Sequence, residues 1–106
     1  MLTKQAFDMH NALRLYLIIA ESKMIKEEYK DAIKYCQVVL LMNEKLHETF
    51  LDNEALRITY MCEMKQLQWK QAKKTLKLCL ECAWKEDDLE QEMRVYEKLS
   101  ICHFYC

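Results

Sequence analysis

The fold turns on two short stretches, Tyr29-Lys30-Asp31-Ala32 and Trp69-Lys70-Gln71-Ala72, which carry the same pattern forty residues apart. The echo runs on: Ala32, Cys36, Val39 and Leu40 fall opposite Ala72, Leu76, Cys79 and Leu80. That i, i+4, i+7, i+8 spacing places each set on one face of a helix. The stretches upstream keep the same period, with Tyr16, Leu56 and Tyr96 in register and then Ile19, Thr59 and Leu99. The repeating unit is therefore a pair of helices, present twice and followed by the first helix of a third.

Composition agrees with an all-α chain. Strong helix formers run throughout, and Gly and Pro are both absent, where average usage would give about a dozen in this length. Phosphate-cradling loops, dinucleotide fingerprints and tight turns that require glycine are excluded on that ground. Only polar clusters mark helix ends, near Lys26-Glu27, His47 to Asp52, Gln66 to Gln68 and Lys85 to Asp88. The predicted helices span 2–25, 28–46, 52–65, 68–84 and 88–105. Asp52 and Asp87 or Asp88 are expected N-caps, since a short carboxylate accepts from the exposed N–H groups of a first turn. Gln91, three residues after Asp88, gives a weak capping-box echo.

With 106 residues the chain makes one body, read as a single segment with units 1–48, 49–86 and a partial 87–106. It is 52% apolar and 31% charged, enough for a core, with sixteen basic against seventeen acidic side chains. A net charge of -1 gives no field to gather phosphate backbones or anionic lipid. The longest apolar runs, Leu15 to Ala20 and Val38 to Met42, fall far short of the roughly 20 residues that a bilayer crossing needs. The N-terminus does not match a secretory signal, so the expected compartment is the cytosol and the six cysteines are expected to be reduced.

The pattern of an aromatic, a small residue at the helix crossing and then large apolar side chains resembles the tetratricopeptide repeat (TPR) family. Ala20 and Ser100 supply small residues in first helices, Ala32 and Ala72 in second helices. The stretch DLEQEMRVYEKLSICHFY, Asp88 to Tyr105, looks most like the family's longer variant of about forty residues per unit. The family's usual glycines and closing proline are missing, and Thr59-Tyr60 stand where a large-small pair is usual.

The resemblance implies antiparallel helix hairpins stacked as a right-handed α-solenoid, with a concave surface lined by first helices that binds a peptide or helix of another protein. Carried over, the groove positions are Arg14, Leu17, Glu21 and Met24, then Arg57, Met61 and Met64, then Arg94, Glu97, Ile101 and Phe104. Methionines would give adaptable contacts and arginines would pair with carboxylates. The same arginines read equally well as ordinary solvated charges or as i, i+4 partners of nearby glutamates. Tyr16, Trp69 and Tyr96 are assigned to packing. Long-variant arrays recur in signalling adaptors, motor-linked complexes and cilia, and that placement is an implication of the resemblance alone.

The segment Leu99 to Cys106 carries apolar side chains on nearly every face. A family unit would continue here with a second helix, so the expectation is a segment of a longer array, or an end that docks on a partner or a second copy. Catalysis is not expected: His10, His47 and His103 are scattered and match no zinc-hydrolase arrangement. No cofactor is expected. Cys79 and Cys82, with Cys102 and Cys106 about twenty residues later, overlap the spacing of structural zinc sites. Both pairs lie in helical sequence, so buried inert thiols are the preferred reading and a zinc-stabilised module the alternative.

Overall fold

The computed structural model describes residues 3–49 and 51–106. These form five α-helices: α1 Lys4–Ile25, α2 Tyr29–Leu46, α3 Asp52–Lys65, α4 Trp69–Glu86 and α5 Leu89–Tyr105. The first helix was expected to begin at residue 2, which lies outside the described residues, as does Phe50 in the second break. Each helix packs on the next in an antiparallel run, and α1 also touches α3 directly. The body measures 47 × 32 × 20 Å, and its short dimension is that of two helix layers.

The forty-residue period is written into the backbone. Glu27, His47, Leu67 and Asp87, twenty residues apart, take left-handed φ values of 64°, 54°, 61° and 53°. At each, two hydrogen bonds close the preceding helix. Glu27 N–H donates to the Met24 carbonyl and Glu28 N–H to Lys23; Leu67 and Gln68 repeat this with Met64 and Glu63. His47 with Glu48, and Asp87 with Asp88, make the same pair of bonds at the ends of α2 and α4. This is the helix-closing geometry that glycine usually supplies. The absence of glycine therefore leaves the left-handed turn in place, and four non-glycine residues adopt it.

Capping differs from expectation at one of the two sites. Asp88 is the N-cap of α5, accepting from Gln91 N–H at 3.1 Å. Asp52 is instead the first residue of α3, preceded by Leu51 at φ 64°. Its carboxylate accepts from the buried Asn43 side chain at 2.8 Å and ties the end of α2 to the start of α3. The Gln91 side chain does not complete a capping box; its amide pairs with that of Asn53, joining α5 to α3.

α3 divides the interior. Its Ala55, Ile58 and Cys62 join Leu13, Leu17 and Ala20 of α1 and Ala32, Cys36 and Val39 of α2 in one core. Its Leu56 and Tyr60 join Ala72, Leu76, Cys79 and Leu80 of α4 and Val95 and Cys102 of α5 in the other. Ala32 and Ala72 are both fully buried, where a larger side chain would hold the helices apart. Of the aromatics assigned to packing, Tyr16 is 36% exposed yet lies with its ring 6.1 Å from that of Tyr35 on α2, while Tyr96 is 46% exposed, against 6% for Leu56 in the same register. Among the first helices only α3 has a second helix on each side, and the position that α4 covers in α3 is open in α5. Trp69 does pack: its indole stacks on Tyr105 with ring centroids 4.7 Å apart.

Candidate functional site

The first helices of the repeat, α1, α3 and α5, present two shallow concavities. One, of about 250 Å³, lies between α1 and α3 and includes Arg14, Leu17, Glu21, Glu54 and Ile58. The other, of about 200 Å³, lies between α3 and α5 and includes Arg57, Tyr60, Glu90, Gln91 and Arg94. Positions 14, 54 and 94 are one forty-residue series, which is why Arg14, Glu54 and Arg94 recur along both.

Arg57 sits between the two. Its guanidinium donates to Glu54 at 3.1 Å and reaches Glu21 of α1 at 4.0 Å, and its other nitrogen contacts the Met61 sulfur at 3.6 Å. Arg94 donates to Glu90 one turn back at 2.6 Å, and that carboxylate holds the guanidinium above its ordinary pKa. Both arginines thus have an intramolecular carboxylate, as their i, i+3 and i, i+4 spacing allowed. In exposed positions such pairs contribute little to stability, so their carboxylates can be exchanged for those of a ligand at small cost.

The expected groove residues divide into two groups. Arg14, Leu17, Glu21, Arg57 and Arg94 line the concavities, although Leu17 is 7% exposed and belongs to the α1–α2 core. Met24 packs on the first core and Met61 and Met64 on the second, each partly buried. Glu97 is exposed, Ile101 half-buried and Phe104 81% exposed, edge-on to Tyr105. These three lie outside both concavities. Sequence reading missed Glu54, Tyr60 and the Asn53–Gln91 pair. Glu54 was visible as the i, i+3 partner of Arg57, whereas a pairing across 38 residues leaves no local signal.

The thiols follow their burial. All six cysteines are free. Burial pushes Cys36 and Cys62 up to about 11 and Cys79 up to about 12, so these remain protonated and poorly nucleophilic. Cys79 and Cys102 are core residues, Cys82 is half-buried and Cys106 exposed. Among the described residues no three His, Cys, Asp or Glu side chains are grouped to hold a metal ion. His10 and Glu48 meet at 2.8 Å and tie α1 to the segment after α2. Among the described residues no helix is long and apolar enough to cross a membrane. Comparison with protein-family models, with curated proteins and with solved structures gives no match to this chain.

Proposed function

We propose that this chain is a TPR-like, non-catalytic module of the cytosol that binds a peptide or helix of another protein along the face shared by α1, α3 and α5. The observation that carries the reading is the position of Arg57. It stands where the two concavities meet, holds only exposed carboxylates, and has Arg94 on the neighbouring helix for a second carboxylate. A ligand with acidic residues spaced to meet both arginines would replace Glu54 and Glu90 as partner. The twenty-residue spacing of the helix-closing turns supports the repeat reading, and the protonated core thiols support the absence of nucleophilic chemistry.

Selection of a phage-displayed random peptide library on the 106-residue chain tests this. Enriched peptides should be acidic and should lose binding to an Arg57→Glu, Arg94→Glu variant. Failure to enrich any peptide, or equal binding to the variant, removes the groove reading.

A second reading, a subunit of a larger assembly, draws on a different surface. Leu15 and Ile18 of α1 are 55% and 64% exposed, while Ala55 and Ile58, their counterparts in α3, are buried.

A further inference from the structure

The pocket between α3 and α5 holds a buried hydroxyl that has no partner among the described residues. Tyr60 of α3 is 7% exposed and lines this pocket. Its neighbours Thr59 and Glu63 are also buried, but Thr59 donates to the Ala55 carbonyl and Glu63 accepts from Thr75. The Tyr60 hydroxyl makes no hydrogen bond to a described residue. A hydroxyl taken from water without a partner is costly, and a ligand oxygen that accepts from it recovers that cost.

Two cations stand beside it. Burial, the largest cause, raises the Tyr60 pKa and Cys79 adds to this, whereas Arg57 and Arg94 both lower it. Glu54, Asp88 and Glu90 complete the charged lining, yet none of them acts on the hydroxyl. They are held by Arg57, by the first turn of α5 and by Arg94 respectively. Donors remain with those pairs intact. Arg57 engages Glu54, Glu21 and Met61 through its two Nη atoms, and Arg94 engages Glu90 through Nη2, so each guanidinium keeps its Nε–H and Arg94 also keeps Nη1.

Size and charge narrow the ligand. At about 200 Å³ the pocket is smaller than the roughly 300 to 1,000 Å³ of sites that enclose a whole small molecule, and suits one side chain. Three carboxylates in the lining repel a phosphate ester, with its charge of roughly -1.5 to -2, more strongly than a single carboxylate.

We propose that this pocket seats one acidic side chain of the bound peptide, its carboxylate accepting from the Tyr60 hydroxyl and from Arg57 and Arg94 together. The inference rests on the groove reading, in which the ligand runs on past Arg57 to the second concavity and so crosses the pocket rather than ending in it. Tyr60 is then the residue that favours a carboxylate at this point over a carboxamide, because a hydrogen bond to a charged acceptor is the stronger one.

The probe is N-acetyl-glutamate amide, which carries the side chain without a terminal charge, titrated into the 106-residue chain to high millimolar concentration at constant ionic strength. NMR follows the arginine Nε–H signals and the Tyr60 ring. Saturable shifts at Arg57, Arg94 and Tyr60 are expected, and N-acetyl-glutamine amide should produce none. Tyr60→Phe should weaken binding about tenfold, the loss of one hydrogen bond to a charged group. It should leave Tm of the free chain unchanged or higher, since the hydroxyl has no partner to lose. Tyr96→Phe, outside the pocket, should bind the probe as the wild type does. The proposal is overturned if the glutamate probe gives no saturable shift, or if Tyr60→Phe binds it equally well. A lower Tm for Tyr60→Phe overturns it too, because the hydroxyl then has a partner within the fold. Tighter binding of N-acetylglycine would assign the pocket to a peptide terminus, and tighter binding of blocked phosphoserine to a phosphate; either result overturns the side-chain assignment. The groove reading fails separately. If no peptide is enriched while the probe binds through Tyr60, the carboxylate site stands and the groove falls. Acidic peptides that need Arg57 and Arg94 but bind Tyr60→Phe undiminished keep the groove and remove the site.

Discussion

Replacing Glu27 and Leu67 by glycine should stabilise the protein. Both close a helix in the left-handed region, at φ 64° and 61°, where an L-residue carries a cost of about 1 to 2 kcal/mol. Glycine relieves that cost and loses roughly 0.5 to 1 kcal/mol through the greater freedom of its unfolded backbone. Leu67 is 69% exposed and Glu27 is exposed too, so neither substitution removes much packing. The net gain is roughly 0.5 kcal/mol per site, and two sites on separate turns should add. About 1 kcal/mol in a domain of this size raises Tm on the order of 5 °C. Lys26→Gly is the control: Lys26 lies next to Glu27 but at φ -81°, so glycine there has no strain to relieve and should lower Tm. Thermal melts of the Glu27→Gly, Leu67→Gly double variant and of Lys26→Gly, followed by circular dichroism, should move in opposite directions. If both fall together, the left-handed turns are not strained and the reasoning fails.

Ala72→Leu should destabilise by about 1 to 3 kcal/mol, because the fully buried crossing of α3 and α4 has no room for the added atoms; urea melts measure it. Burial is the first cause that raises the Glu63 pKa above 4.5, against the lowering effect of its hydrogen bonds from Thr75 and Gln71. A carboxyl whose folded pKa is raised contributes stability below its unfolded pKa and loses it as pH rises through the folded value. Urea midpoints should therefore fall less between pH 4 and pH 8, roughly the span on either side of a raised carboxyl, in Glu63→Gln than in the wild type, and identical pH profiles would refute this. With a thiol reagent under native conditions, Cys106 should react first and Cys82 next, with Cys36, Cys62, Cys79 and Cys102 reacting only on unfolding; prompt labelling of Cys79 would contradict its placement in the core.

The α2 and α4 faces were legible in the sequence because those helices have the same surroundings, a first helix on either side. Their buried positions consequently repeat at forty residues, from Ala32 and Cys36 to Ala72 and Leu76. The first helices differ in their surroundings, and their pattern misleads for that reason. Tyr16, Leu56 and Tyr96 share a register but only Leu56 is buried, and Leu17 sits in the core where its counterpart Arg57 faces the groove. Arg57 and Arg94 stand in different registers, Arg57 with Leu17 and Glu97 and Arg94 with Arg14 and Glu54, and are groove positions by what the family resemblance implies. The Asn53–Gln91 pair and the move of Asp52 from cap to Asn43 partner depend on how α3 sits against its neighbours, which no local spacing encodes.

The identical turns also bear on how the length of this protein could change over generations. Lys26 and Gln66 have nearly the same backbone angles, φ -81° and ψ 5° against φ -87° and ψ 6°, and the residues after them match as well. An in-frame loss of codons 27 to 66 would join Lys26 to Leu67 without altering the path of the chain at the seam. A duplication of the same codons would add a hairpin with a junction that already exists elsewhere in the molecule. Growth or shrinkage by one whole unit thus requires no new turn to evolve, whereas an insertion of one or two residues within a helix would rotate the faces that follow it.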